Sequence, residues 1–200
     1  MSAFDGAYWE DRYRSGAGTS RRGPSPSLVA EAAALRPGRA LDAGCGTGGD
    51  ALWLAARGWQ VTAVDVSATA LEAGRQAAAE LGLAARTSWV HADLTTSGPG
   101  PPGFDLVSSH YVHVPGPFED LVRRLATRVA PGGRLLVVGH AAGSGDHPGS
   151  AQVDVGQVLS ALPAPEWRVR VAEPRTHVVH RPGGARRVEL HDVVVVADRT

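Results

Sequence analysis

The 200-residue chain has the length of one ordinary domain, enough to bury well over half of the surface its unfolded form exposes. Twenty basic residues balance twenty acidic ones, which removes the electrostatic argument for nucleic acid or an anionic membrane as partner. The chain has no lysine and a single cysteine, Cys45, which excludes a Schiff-base or P-loop lysine, an intramolecular disulfide and a multi-cysteine zinc site.

Ala7 to Arg14 reads as a short helix carrying Tyr8, Trp9 and Tyr13 among charges, and the Gly/Ser/Arg/Pro stretch from Ser15 to Pro26 ends it. Such a helix either packs its aromatics on the domain edge or acts as a lid. Ser27 to Leu35 is apolar at helical spacing and stops at Pro37-Gly38. A short apolar run from Ala40 then ends in Asp42, four glycines follow between Gly44 and Gly49, and Ala51 to Arg57 reads as a helix. A second apolar run ends in Asp65, and Ser67 caps a helix that continues to about Leu81. The third run, Thr87 to Leu94, contains Asp93; a Gly/Pro-rich loop, Thr95 to Gly103, leads to the fourth strand at Phe104 to Ser109. Phe118 to Val129 places Leu121, Val122, Leu125 and Val129 on one helical face, Pro131-Gly132-Gly133 ends that helix, and Arg134 to Gly139 is the fifth strand.

The last quarter predicts a helix over Gln152 to Ala161 and strands over Trp167 to Glu173 and Val188 to Ala197. These strands are joined through the basic, Gly-containing turn around Arg181 to Arg187, so they should be antiparallel. The preceding alternation of apolar strands with helices implies a parallel sheet covered on both faces. No apolar run approaches the ~20 residues of a membrane span, and the opening residues do not read as a secretory leader. A cytoplasmic protein is expected.

Strand, Gly-rich turn and helix from Ala40 to Arg57 make the opening of a nucleotide-binding βαβ unit. The missing side chains let the backbone turn sharply and approach a ligand, while the free N–H groups of the helix start face the crevice at the strand's carboxyl end. Asp65 would lie beside that turn, where its carboxylate can accept both hydroxyls of a ribose. Gly44-x-Gly46-x-x-Gly49 with Asp65 at roughly the ~20-residue distance also matches the dinucleotide fingerprint, so a nicotinamide-dependent oxidoreductase is the alternative. That alternative needs a catalytic Tyr-Lys pair or equivalent, and there is no lysine to supply one.

Three features favour another ligand: Asp42 two residues before the first glycine, where it can reach an amino group; Asp93 in the third run; and Phe104-Asp-Leu-Val107 opening the fourth. As a constellation from Tyr8 to Ala141, these resemble the class I S-adenosylmethionine-dependent methyltransferases. The resemblance implies an α/β fold with a seven-stranded, doubly wound, Rossmann-like sheet of order 3-2-1-4-5-7-6, its last strand antiparallel. It implies one domain over residues 1–200, with 1–26 an N-terminal lid segment, 39–141 the cofactor-binding core and 150–200 a C-terminal helix and β-hairpin. The cofactor is then S-adenosylmethionine, its ribose on Asp65 and its adenine facing Asp93. The site is drawn from Trp9, Arg14, Asp42, Gly44, Cys45, Gly46, Asp65, Val66, Asp93, Leu94 and Ser109.

Trp9-x-x-Arg12-Tyr13 before the Gly/Ser stretch is similar to the N-terminal segment of small-molecule methyltransferases of the thiopurine and tellurite-resistance type, which closes over cofactor and substrate. The expected partner is a small-molecule methyl acceptor, and the expected state a monomer or homodimer. Without asparagine there is no Asn-Pro-Pro-aromatic motif for an extruded base, so nucleic acid is not expected as substrate. A non-catalytic S-adenosylmethionine-binding module is a further alternative.

Sulfonium methyl transfer is an in-line substitution with a good leaving group, so alignment and exclusion of water dominate. A hydroxyl or amine acceptor gains from a base, whereas a thiolate or chalcogen anion needs none. His110 and His113 follow the fourth strand, His140 ends the fifth, and His147 lies in the loop beyond it. His140, His113 and His110 are therefore the candidate catalytic bases, His140 first because it follows directly on a buried strand. The loose His110-x-x-His113 spacing gives no reason to expect a metal. His91 is expected to pack on the sheet, His177, His180 and His191 to lie in the terminal hairpin, and Cys45 to be a small buried spacer.

Overall fold

In a computed structural model of the chain, the described residues are 4–16, 23–96, 102–141, 153–180 and 187–200. In chain order they form α1 (Gly6–Arg14), α2 (Pro26–Ala32), β1 (Arg39–Ala43), α3 (Gly49–Ala56), β2 (Gln60–Asp65), α4 (Ala68–Glu80) and β3 (Thr87–His91). Then follow β4 (Phe104–His110), α5 (Phe118–Ala126), β5 (Val129–His140), α6 (Val155–Ser160), β6 (Trp167–His180) and β7 (Arg187–Arg199). The seven strands make one sheet in the order β3-β2-β1-β4-β5-β7-β6, as the resemblance implies. β7 runs antiparallel to both β5 and β6, and the remaining pairs are parallel.

The strand sequences lack polar alternation because both faces of the sheet are covered. Successive residues of one strand enter opposite layers: Leu135, Val137, Val193 and Val195 pack with Phe118, Leu121, Val122 and Leu125 of α5, together with Val158 of α6. Leu136, Val138, Val194 and Val196 join the other layer with Leu28 of α2 and Leu54 of α3. This two-sided burial turns a period-two pattern into the continuous run Val193–Ala197.

Three boundaries depart from the sequence reading. α5 stops at Ala126, and Pro131-Gly132-Gly133 lies inside β5 rather than before it. The pairing with β4 jumps from Phe104↔Val129 to Leu106↔Arg134, so the residues between form a bulge. Proline has no N–H for the ladder, which is why this stretch leaves the regular register. α6 begins at Val155, where Asp154 and Gln157 form a capping box. The hairpin strands reach further toward their turn than expected, and residues 181–186 of that turn lie outside the described residues, as does His147.

The order of connections reverses between β1 and β4, which puts a crevice at their carboxyl ends. The polar anchor of α1 against this crevice is Glu10. Glu10 accepts from Ser67 Oγ at 2.7 Å, Thr69 Oγ1 at 2.6 Å and Thr69 N at 3.2 Å, and so sits on the N-terminal turn of α4. These donors lower its pKa to about 2. A depressed carboxylate contributes stability that is present above the ordinary value of 4.5 and lost as pH falls toward about 2. Docking of α1 is therefore expected to be constant from neutral pH down to the carboxylate range and to weaken below it. Trp9 fluorescence followed against pH checks this, and Glu10→Ala should show the undocked signal at every pH. Among the described residues no helix is long and apolar enough to cross a membrane.

Candidate active site

The turn after β1 is shaped by two glycines that no other residue can replace. Gly44 and Gly46 have φ of 79° and 53°. A Cβ on Gly44 would strike Val112, and one on Gly46 would lie 2.6 Å from Tyr13 Oη. Both conformation and space therefore demand glycine. Gly44 N and Cys45 N donate to Val64 O at 2.8 and 2.9 Å, tying the turn to the end of β2. Against it lies a crevice of about 700 Å³, counted out to its open mouth. Gly44, Asp65, Val66, Asp93 and Leu94 line one side, Phe4, Trp9 and Tyr13 another, and Tyr111, Val112 and His113 the end beyond β4.

Asp65 is 8% exposed; its Oδ2 accepts from Gly46 N at 2.8 Å and its Oδ1 from Ser67 N at 2.9 Å. Burial raises its pKa although the N–H groups of Ser67, Gly46 and Val66 pull the other way. Asp42 lies deeper, 2% exposed, and its pKa is pushed well up by burial and then by Asp50, against one N–H from Ala51. Asp93 Oδ1 accepts from Thr95 N and Oγ1 at 2.7 and 2.6 Å, an Asx turn at the rim. The Cys45 thiol is pushed well up by burial, Asp42 and Asp65, which keeps it a neutral spacer.

The histidines separate. His113 stacks among Phe4 and Trp9, with ring centroids 5.2 and 5.6 Å away, and lines the crevice. His140 lies next behind, 6.2 Å from His113 and 4.7 Å from the Tyr111 ring. Its Nδ1 is 3.4 Å from Asp192 Oδ1, and Tyr111 Oη donates to Asp192 Oδ2 at 2.6 Å. Tyr111 holds the left-handed conformation, φ 55°, and its N–H donates to Val138 O at 2.8 Å. His110 faces elsewhere: its Nδ1 is 2.6 Å from Asp50 Oδ2. Thus His110 and His113 do not meet. Instead Asp42, Asp50 and His110 bring one donor atom each within 4.8 Å of one another, the set among the described residues near enough to share a cation.

Of the residues expected at the site, Trp9, Gly44, Asp65, Val66, Asp93, Leu94 and His113 line the crevice. Asp42, Cys45 and Gly46 support the turn from behind or within it. Arg14 is exposed and pairs with Glu10 at 3.1 Å, and Ser109 is buried within β4. His91 is exposed rather than packed on the sheet, its Nε2 2.9 Å from Val66 O. His191 is bonded to Thr176 at 2.9 Å, while the side chains of His177 and His180 lie outside the described residues. Asp192, Asp50, Tyr111 and Glu10 were not anticipated. The usable signal for Asp192 was an acid directly before the unbroken apolar run Val193–Ala197.

Residues 40–133 match the family described as methyltransferase domain. The chain is 38% identical over 109 residues to a ribosomal RNA small subunit methyltransferase C of Chromohalobacter salexigens, covering 52% of this chain and 32% of that protein. It is 31% identical over 144 residues to the probable thiol methyltransferase 2 of Arabidopsis thaliana, covering 69% of this chain and 63% of that one. The chain thus spans about a third of the first relative and under two thirds of the second. Its fold is similar to that of TehB from Haemophilus influenzae, with TM-score 0.72 and 18% identity over 96% of this chain and 67% of that chain.

Proposed function

We propose that this chain, whose residues 40–133 match the methyltransferase domain family, is a class I S-adenosylmethionine-dependent methyltransferase that moves the methyl of S-adenosylmethionine to a small-molecule nucleophile. The observation that carries the reading is Asp65: a buried carboxylate at the Gly turn that lines the crevice. The two hydroxyls of a ribose would donate to the lone pairs its backbone partners leave. Asp93 at the rim would take the adenine edge, and the raised pKa of Asp42 suits a place near the donor's ammonium. Phe4, Trp9 and His113 then enclose the acceptor and keep water from the sulfonium. In this reading α1 is the lid, and residues 1–26, 39–141 and 150–200 act as lid segment, cofactor core and C-terminal cover of one domain.

Two relatives carry names for different acceptors, an RNA and a thiol. A small acceptor is favoured here by the enclosed aromatic end of the crevice and by the balanced charge of the chain. Calorimetry tests the donor: S-adenosylhomocysteine is expected to bind in the micromolar range, about −8 kcal/mol, and more tightly than NADH. The reverse order would return the oxidoreductase reading. Binding without release of S-adenosylhomocysteine from any thiol, phenol, amine or tellurite would leave a binding module.

Asp42 offers a second test with a defined sign. A carboxylate whose folded pKa is raised costs stability once the pH climbs above its unfolded value. Asp42→Asn is therefore expected to raise the melting temperature of the free protein at pH 8 while weakening S-adenosylhomocysteine by about tenfold or more. Thermal melts and calorimetry on the same sample check both signs, and unchanged affinity would take Asp42 out of the site.

A further inference from the structure

We propose that Asp192 positions His140 as the proton acceptor for a hydroxyl-bearing, phenol-like substrate, with Tyr111 fixing Asp192 from the other side. The proposal rests on the methyltransferase reading above and deepens it by naming the acceptor class. His140 and Asp192 are directly opposed in the β5–β7 register, so both side chains leave the same face of the sheet. Ala141 N donates to His191 O at 2.8 Å, which fixes the strand ends that carry the pair. Asp192 is 1% exposed, whereas His140 keeps a quarter of its side chain open to solvent. One end of the pair is thus buried, and the other is partly open beside His113, which lines the crevice.

Tyr111 adds independent support. A tyrosine in the left-handed region persists only where its surroundings over-determine it, and such residues cluster at functional sites. Here the ring is anchored at both ends, by Val138 O at its N–H and by Asp192 at its hydroxyl, and it lies against His140. Among the described residues, the charged and titratable groups around His140 are Asp192 from β7, and Tyr111 and His113 from the segment after β4. Arg175 of β6 is opposite Asp192 in register, but its guanidinium is held by Glu31 and Glu173, each at 2.8 Å.

With Nδ1 turned to Asp192, Nε2 is the nitrogen left to take a proton. The acceptor hydroxyl gives its proton to Nε2 as its oxygen forms the new bond to the methyl carbon. The carbon–sulfur bond breaks with its electron pair passing to sulfur, leaving a neutral thioether. The imidazolium, stabilised by Asp192, then releases its proton to water at its exposed edge. A phenol, with a pKa near ~10, needs this help at neutral pH, whereas an aromatic thiol is already largely ionised and does not.

The test combines a spectroscopic and a kinetic readout on the full chain. The His140 ring titration is followed by NMR, assigned by its loss in His140→Ala. Asp192→Asn is expected to move the titration midpoint downward, because the neighbouring carboxylate is lost, and Tyr111→Phe to move it upward, because the carboxylate loses a competing donor. With catechol and thiophenol as probes, Asp192→Asn and His140→Ala are expected to slow catechol methylation by about 10²-fold and thiophenol methylation by about threefold or less. Midpoints unmoved in both variants, or equal losses with the two probes, would overturn the assignment. Should Asp192→Asn fail to fold, Tyr111→Phe with His140→Gln decides it by the same readouts. Should neither probe turn over, the titration decides it alone. S-adenosylhomocysteine calorimetry on each variant separates the two failures: intact binding with an unmoved titration sinks the dyad only, and absent binding in the parent protein sinks the methyltransferase reading.

Discussion

A protein lacking residues 1–22 is expected to keep its sheet and to release S-adenosylhomocysteine at least about 10²-fold more slowly with its best acceptor. α1 has no buried residue, and neither core layer draws on residues 4–16, so the sheet does not depend on them. What the deletion removes is one wall of the crevice. Phe4 and Trp9 leave His113, and Tyr13 leaves the Gly46 turn. The three hydrogen bonds of Glu10 to Ser67 and Thr69 are lost, but the departure of α1 uncovers these groups at the start of α4, so water can replace the carboxylate. Circular dichroism and melting should therefore stay near the parent while single-turnover rates fall. A truncated protein as fast as the parent would show that α1 only packs on the domain edge.

Replacing Asp65 by Ala is expected to cost both fold and ligand. The two backbone N–H groups of Gly46 and Ser67 lose their acceptor, at about 1–3 kcal/mol for each one left buried without a partner. The ribose hydroxyls lose theirs as well, so S-adenosylhomocysteine affinity should fall by ~30-fold or more. Asp65→Asn, which keeps one acceptor oxygen, should fall between the parent and the Ala variant. The pH dependence has a definite sign. Because the folded pKa of Asp65 is raised, the free protein loses stability from this group as pH rises above the carboxylate range. A ligand that donates to the ionised form offsets that loss, so the rise in melting temperature caused by S-adenosylhomocysteine should be larger at pH 8 than at pH 5. Equal affinity in the parent and Asp65→Ala would remove the ribose from this carboxylate.

Much of this fold was legible because its signals are short. The β1–turn–α3 unit is written in the eighteen consecutive residues Arg39 to Ala56 as an apolar, glycine and alanine pattern, roughly the span over which local periodicity is informative. The two-sided burial of β5 and β7 likewise shows as unbroken valine and leucine. Pro131-Gly132-Gly133 misled for the same reason: locally it reads as a helix stop, and only the partner strand β4 makes it a bulge inside β5.

What the sequence by itself determined, then, is the parallel α/β core, the Gly turn at Gly44 and Gly46, and the acid at the end of β2. Each depends on neighbours in the chain, through dihedral freedom, side-chain period and strand length. What only the tertiary structure decided is which distant groups meet. Glu10 finds Ser67 across 57 residues, Tyr111 finds Asp192 across 81, and His110 turns to Asp50 rather than to His113. The Tyr111–Asp192 meeting depends on the register and reversed direction of β7, where a one-residue slip would send Asp192 to the opposite face, and the other two depend on how α1 and α3 pack against the sheet ends. No local pattern encodes that register, because it is set by the packing of both core layers at once.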